Sequence, residues 1–458
     1  MAIDYRYVVT SLLILKIFAV RIFTILWSGQ MASAIGTEMT QFALTIWIWQ
    51  QTQTTTAIAL LSFFFLLPQI SISLLAGIII DRFNRQKLMI FSDVCVGACT
   101  ITIGLLHSIG SLQIWHLYGL AVIYGCCGQL QGLAFSASIS SIVDRKHYSR
   151  VSSMRTLIMY GGTIIAPALV GSLYPSIGLM GIIAIDLATF IIGISTVLIV
   201  RIPQVKSSPS DRNDGKTIWQ QLFWGIDYIR ARPSLVAITT IFCLFLFAYQ
   251  TSETLYPPMI LARTGSNAQI LSTVAISAGI GGVVGAVVLS IVGGVPRQIQ
   301  GMLIAFIGVG LGSLALGLGQ TQAVWMLAQF FAACCIPLAY SSTDAIWYTK
   351  VEPAVQGRVL AAAHTIGSIV GALASLIAGV LADRVFEPLM NSGNSIALAL
   401  SPLFGTGKGS GIALLVTISA IAMVSIGIGG NAFPNLRNAE ALLPDCDRPN
   451  PDSGELNL

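Results

Sequence analysis

The stretch Leu75-Ala76-Gly77-Ile78-Ile79-Ile80-Asp81-Arg82-Phe83-Asn84-Arg85-Gln86-Lys87 decides how this chain folds. An apolar run ends at Ile80, charged residues crowd the next seven positions, and a second apolar run begins at Leu88 with no spacer. Each flanking run has the length of roughly 20 residues that an α-helix needs to cross the hydrocarbon of a bilayer. The knot is therefore a tight turn between two membrane helices. Arg82, Arg85 and Lys87 are held at the membrane surface, Asp81 is placed to cap or pair at a helix end, and Gly77 lets a neighbouring helix approach closely.

Composition points the same way. Of 458 residues, 55% are hydrophobic and 9% charged, against roughly 25% charged in soluble domains, so most of the chain must find its solvent in lipid. The net charge of +5 does not mark a nucleic-acid binder, because the basic residues lie in short clusters between apolar runs rather than on one face or in a tail. Of the eight cysteines, Cys95, Cys99, Cys126, Cys127, Cys243, Cys334 and Cys335 fall inside apolar runs and Cys446 in the tail. No metal-like pair and no disulfide framework follows from that spacing.

Residues 7–20 are apolar but interrupted by Lys16 and shorter than a span, so 1–20 read as an interfacial lead-in, with a secretory signal the alternative. Spanning runs follow at 21–47, 57–80, 88–108, 114–140, 154–174 and 179–200. Residues 201–233 are a polar linker leading into an amphipathic helix with Trp219, Leu222, Phe223, Ile226 and Ile229 at helical spacing, expected to lie on the membrane surface. Six more runs occupy 234–258, 269–293, 299–318, 323–345, 357–382 and 410–432. The expected fold is an all-α integral membrane protein of twelve transmembrane helices in two pseudo-symmetric six-helix bundles, 21–200 and 234–433, with a polar tail at 434–458.

With both termini placed in the cytoplasm, only Arg263, Arg384 and Lys408 of the 24 basic residues fall on the far side. The even helix count and the positive-inside bias agree. A repeat supports the two bundles: Cys126-Cys127 and Cys334-Cys335, Arg150-Val151 and Arg358-Val359, and Gly171 and Gly379 share one offset. Duplicated bundles of this kind place a single site near the bilayer midplane.

Charge buried in a membrane helix is costly and marks a pathway by default. Glu38 in the first run and Glu253 in the seventh occupy related positions and are candidate proton-coupling or substrate residues, with Asp186 in the sixth run as the next candidate. Asp93, just after the basic knot, is expected to pair with one of its arginines or with Arg155 in a gating role. His364 reads as a satisfied interior histidine. Trp27, Gln30, Gln41, Gln129, Gln131, Tyr249, Gln250 and Tyr256 are candidates for lining a cavity, with helix packing the other reading. No cluster of catalytic His, Cys or carboxylates appears, so an enzyme is not expected.

The knot resembles the signature of the major facilitator superfamily, G-x-x-x-D-R-x-x-R-R/K between its second and third helices, carried here by Gly77, Asp81, Arg82, Arg85 and Lys87, with Asn84 where many members have Gly. The fifth run, with Gly162, Ala166, Pro167 and Gly171, resembles the Gly-Pro antiporter motif of drug exporters, Ala166 standing where Gly is usual. Tyr124 stands where exporters usually carry Arg. Beyond the superfamily, Leu26-Trp27-Ser28-Gly29-Gln30, Leu67-Pro68-Gln69 and Leu381-Ala382-Asp383-Arg384-Val385-Phe386-Glu387-Pro388 look like the macrolide-efflux and siderophore-exporter group of bacterial drug:proton antiporters. The resemblance implies a major facilitator fold in a bacterial inner membrane. It also implies a monomer that exports an amphipathic small molecule by alternating access, using the proton gradient and no cofactor. An importer, a passive facilitator or a partner subunit of the same fold is the alternative.

The topology is testable. A cysteine introduced at Asp214 is expected to react with impermeant reagent only from the cytoplasmic side, and one at Asn394 only from outside; the reverse pattern would overturn the orientation.

Overall fold

A computed structural model of the chain describes residues 5–142, 148–200, 218–293, 295, 297–352 and 355–430. Side chains are described from Phe23 onward, apart from those at 76–78, 81–82, 140–142, 148–150, 152–153, 155–156, 159–160 and 218–222. The linker at 201–217 and the tail at 434–458 lie outside the described residues, as do the side chains of Gly77, Asp81, Arg82 and Arg155.

The described chain is helical, without strands: α1 (Tyr5–Thr52), α2 (Thr55–Arg82), α3 (Arg85–Ser108), α4 (Ile114–Ile142), α5 (Tyr148–Ile199), α6 (Ile218–Arg230), α7 (Pro233–Arg263), α8 (Ala268–Val292), α9 (Gln298–Leu318), α10 (Gln322–Lys350), α11 (Gln356–Leu381), α12 (Glu387–Asn391), α13 (Ser395–Phe404) and α14 (Ser410–Gly430). Helices satisfy every backbone group within one segment, which is the requirement hydrocarbon imposes. Among the described residues, ten segments are long and apolar enough to cross a membrane. Twelve were expected, and the difference has two identifiable sources. One segment covers Gly161–Ile199 of α5, where the backbone leaves helical geometry at Gly178, φ 62°, between the expected fifth and sixth runs. The other is α1, which is not among the ten although it is a single helix of 48 residues and so roughly 70 Å long. It runs without a break from the expected lead-in into the first span. Large apolar side chains on the surface, such as Ile291 at 80% exposure and Leu327 at 70%, suit lipid rather than water.

The chain divides into two compact units: 1–51 with 64–213, and 52–63 with 214–458. The division cuts α2, whose first turns belong to the second unit. It falls between Phe63 and Phe64, a turn before Pro68, which lies inside the helix and lacks the N–H for an i to i−4 bond.

In the first unit the basic knot joins helix ends. Asn84 is the N-cap of α3, its side chain accepting from the Lys87 backbone N–H at 3.2 Å, which gives the residue that replaces Gly a structural role. Arg85 donates to the Ala137 carbonyl near the end of α4 at 2.7 Å. Gln86 donates to the Val197 and Val200 carbonyls at the end of α5. Donors suit helix C-termini, where carbonyls lack partners.

In the second unit α14 packs on α7 and α9, and α10 on α8 and α9, around a core in which the Phe245 and Phe306 rings stack at 3.9 Å. The amphipathic α6 docks on protein: Ile229 is 4% exposed within this core, and Gly225 comes so near α11 that an added Cβ would lie 2.7 Å from the Arg358 carbonyl oxygen. The face expected to meet a membrane surface is thus turned partly to α11. Residues 383–409, expected as a loop, contain α12 and α13 and two charged residues that serve helix ends, a role shared by Arg263 at the end of α7. Asp383 accepts from the Thr55 and Thr56 N–H groups at the start of α2, at 3.0 and 2.7 Å. Glu387 accepts from Gly409 and Ile412 at the start of α14. Arg263 donates to the Gly319 and Phe404 carbonyls, at the ends of α9 and α13. Each bond is charge-assisted and stabilises a helix terminus whose groups have no partner within the helix.

Close helix approach recurs in both units. A Cβ on Gly125 of α4 would lie 2.2 Å from the Phe65 carbonyl oxygen of α2, and one on Gly285 of α8 would lie 2.1 Å from that of Cys334 on α10. Gly285→Val is therefore expected to destabilise the folded protein in detergent by about 1–3 kcal/mol, the usual cost of overpacking, read as a lowered thermal midpoint. Gly128→Ala, with nothing within 4 Å of its added Cβ, serves as the tolerated control.

Candidate functional site

The first unit contains a polar interior built by small residues. On α1, Gly29, Ser33, Gly36 and Thr40 follow one another at helical spacing and face the second arm of α5. A Cβ on Gly29 would lie 2.1 Å from Thr196 Oγ1, one on Gly36 2.0 Å from Thr189 Oγ1, and one on Gly193 2.8 Å from Ser33 Cβ. Small residues of this kind are what let membrane helices pack backbone to backbone. On α3, Gly97 meets Phe190 and Gly104 meets Ile183, which fixes an antiparallel register against α5 with Thr100 opposite Asp186.

Asp186 sits where these contacts converge. It is 3% exposed, and its Oδ2 accepts from Thr40 Oγ1 at 2.8 Å and from Thr100 Oγ1 at 3.2 Å. The partner that sequence reading did not find for it is thus a pair of hydroxyls from two other helices. Their signal was present as the small-residue pattern ending in Thr40 and as Gly97-x-x-Thr100 on α3.

Asp93, one turn before Gly97, lines the same cavity. This space of about 340 Å³ is bounded by Gln30, Asp93, Thr100, Tyr124, Gln131 and Asp186, with Gln129 also on its wall. Gln131 Nε2 donates to Gln30 Oε1. The expected arginine partners of Asp93 divide in two: Arg82 and Arg155 lie outside the described side chains, while Arg85 bonds to the Ala137 carbonyl.

Glu38 is exposed and lies beside α5, where a Cβ on Gly162 would come 3.3 Å from its Cγ. A candidate carboxylate and the antiporter-like stretch are thereby brought together, with Ala166 of that stretch fully buried. Trp27 donates to the Met154 carbonyl at 2.7 Å, a packing role between α1 and α5, and Gln129 donates to Ser73 at 2.8 Å.

In the second unit, Glu253 of α7 accepts from Gln329 Nε2 of α10 at 3.3 Å, and Gln329 is 3% exposed. Tyr249, Tyr256 and Tyr340 are its electrostatic neighbours, and Tyr249 stacks on Phe245. Gln250 faces Gly371 of α11. Asp344 of α10 interacts with His364 of α11; the histidine was expected to be satisfied, but Asp344 was passed over because it falls at the end of its apolar run. Arg230 and Asp227 form an ion pair at 4.0 Å on α6, whereas Glu38, Asp93, Asp186 and Glu253 have no such partner among the described residues. No group of three or more His, Cys, Asp or Glu side chains able to hold a metal occurs among the described residues.

Residues 26–375 match the family model described as Major Facilitator Superfamily. The chain is similar to macrolide efflux protein A of Streptococcus pyogenes, 22% identical over 369 residues, covering 79% of this chain and 90% of that protein. It is also similar to the uncharacterized MFS-type transporter YfiS of Bacillus subtilis (strain 168), 22% identical over 79% of this chain and 86% of that one. Among solved structures, a mutant of the nucleoside transporter NupG superposes with a TM-score of 0.71 at 12% identity, covering 89% of this chain and 99% of that chain. A bacterial homolog to the human lysosomal transporter Spinster does so at 0.60 and 16% identity, covering 93% and 96%.

If Thr40 and Thr100 hold Asp186, Thr40→Val is expected to lower stability by about 1–3 kcal/mol, the scale of an unmade buried hydrogen bond. Most of that loss should vanish in an Asp186→Ala background, which removes the acceptor, when the four proteins are compared by thermal unfolding. An equal loss in both backgrounds would mean that Thr40 acts through packing.

Proposed function

This chain belongs to the major facilitator superfamily, and on that footing we propose that it is an exporter of an amphipathic small organic molecule, working by alternating access with protons entering as substrate leaves. It is a multi-pass membrane transport protein. The similarity to macrolide efflux protein A supports outward transport of a partly apolar organic substrate.

The observation that carries proton coupling is the environment of Glu253. Its carboxylate sits within a membrane helix, its hydrogen-bond donor is the neutral Gln329 amide, and its other neighbours are tyrosines. A carboxylate paired with Arg or Lys is locked in the ionised state, whereas one among neutral partners is free to gain and lose a proton. Intramembrane carboxylates of this kind are the usual members of proton relays. Glu38, related to it by position in the first unit, is the second member of the proposed relay, and Gly162 beside it leaves room for its side chain to move. Gly77, Asp81, Arg82, Arg85 and Lys87 are proposed to gate the cytoplasmic side. The protein is proposed to act as a monomer in the bacterial inner membrane with both termini cytoplasmic.

The test uses the purified protein in liposomes with a labelled macrolide and an imposed pH gradient. Gradient-driven accumulation is expected for the native protein. Glu253→Gln should lower it at least tenfold while sparing exchange of substrate at equal pH, because the neutral side chain keeps its size and hydrogen bonding. Accumulation with unaltered pH dependence in Glu38→Gln, Glu253→Gln and the double variant would remove both residues from coupling. Equilibration without accumulation in the native protein would make it a passive facilitator.

A further inference from the structure

We propose that the cavity inside the first unit is a binding site for an elongated organic ammonium ion, which makes the exported molecule an amine. The inference deepens the export reading and rests on it only for the word exported.

Charge selects the class of ligand. Asp93 and Asp186 both face the cavity, and no Lys, Arg or His is among the described residues that line it. An anion placed there would meet two carboxylates and no countercharge, so the site favours a cation.

Unmatched hydrogen-bonding groups show that the wall is not closed on itself. Asp93 Oδ2, Gln30 Nε2 and Tyr124 OH are buried without a hydrogen-bond partner. Gln30 is 7% exposed and Tyr124 9%, and both residues line the cavity. Tyr124 has Thr37 and Gln41 as polar neighbours and Asp93 has Gln30, yet the Tyr124 hydroxyl, Asp93 Oδ2 and Gln30 Nε2 make no bond of good geometry with them. Buried polar groups are ordinarily paired. Three that converge on one space call for a ligand with hydrogen-bonding groups of its own.

Size and spacing separate an organic ion from a bare one. About 340 Å³ is at the lower end of pockets for small organic ligands and far larger than one inorganic cation. Thr100 bonds to Asp186, and Asp93 lies seven positions earlier on the same helix. The two carboxylates therefore stand about 10 Å apart along α3, at 1.5 Å per residue. One small ion can touch one of them, whereas an elongated molecule spans the wall with its ammonium group on a carboxylate. Tyr124, Phe135 and Phe190 on the lining supply aromatic surface for its apolar body and cation–π contacts for its head.

The test is equilibrium binding to the purified full-length protein in neutral detergent, without a gradient, so its failure is separate from failure of transport. The probes are 4-phenylbutylammonium, 4-phenylbutanol and 4-phenylbutanoate, which share length and ring and differ in the head group. The ammonium probe is expected to bind at least tenfold more tightly than the other two. Asp93→Asn should weaken it at least tenfold, Asp186→Asn, whose carboxylate is already held by Thr40 and Thr100, by less than that, and Asp227→Asn on α6 should leave it unchanged. Equal binding of the alcohol, or undiminished binding in Asp93→Asn, would overturn the proposal. So would a thermal shift produced by sodium chloride against N-methylglucamine chloride at equal ionic strength with none from the amine, since that marks an inorganic cation site. Should Asp186→Asn fail to fold, Asp93→Asn and the head-group series in the native protein still decide the matter.

Discussion

Helices in lipid gain nothing by hiding apolar surface from one another, so what holds a bundle together is how closely their backbones can approach. In the first unit this depends on a few residues with little or no side chain. Gly29, Ser33 and Gly36 bring α1 against α5, and Gly97 and Gly104 bring α3 against the opposite side of the same arm. Asp186 can be buried there because that approach delivers Thr40 and Thr100 to its carboxylate. A larger residue at Gly36 would collide with Thr189 and with Asp186 itself, separating the carboxylate from its donors. Packing and polar chemistry are thus one constraint.

The two units meet the same demand with different material. In the first, carboxylates, amides and hydroxyls face a cavity. In the second, stacked aromatic rings fill the corresponding depth, with Phe245 against Phe306 and Tyr249, and the one candidate carboxylate sits among tyrosines. The duplication visible in the cysteine pairs survives as close contact between the corresponding helix pairs, α2 with α4 and α8 with α10, although the glycine that allows it lies on α4 in the first unit and on α8 in the second. Helix ends show a further division of labour. Arg85 and Gln86 complete helix C-termini in the first unit, and Asp383, Glu387 and Arg263 complete ends of both kinds in the second.

Much of this was legible in the sequence because run length against bilayer thickness is a strong signal. The knot at Asp81 to Lys87 marked one helix boundary, and the break at Gly178 falls where two runs had been separated. The site was less legible. Asp186 looked solitary because its partners are distant along the chain, and Thr40 and Thr100 carry no charge to draw the eye. Asp93, read from the sequence as a partner of the knot's arginines or of Arg155, also lines the cavity with Gly97 and Thr100, a second role that nearness in sequence to the knot does not reveal. The amphipathic pattern of α6 gave the helix correctly but not what its apolar face meets, since protein and membrane surface demand the same periodicity.

The bond from Asp383 to the first turn of α2 gives that helix an unusual mechanical status. One end is fastened by charge to the second unit while the rest belongs to the first, and a proline stands a turn beyond the change of allegiance. A helix fixed at its first turn and lacking one backbone bond at its proline bends most easily beside that proline. Its stiffness is set locally by a missing rung in the hydrogen-bond ladder, and its anchorage by the Asp383 carboxylate together with the Thr56 hydroxyl on the Gly379 carbonyl. Sequence changes at Pro68 and Asp383 would then tune the bending and the attachment of α2 separately.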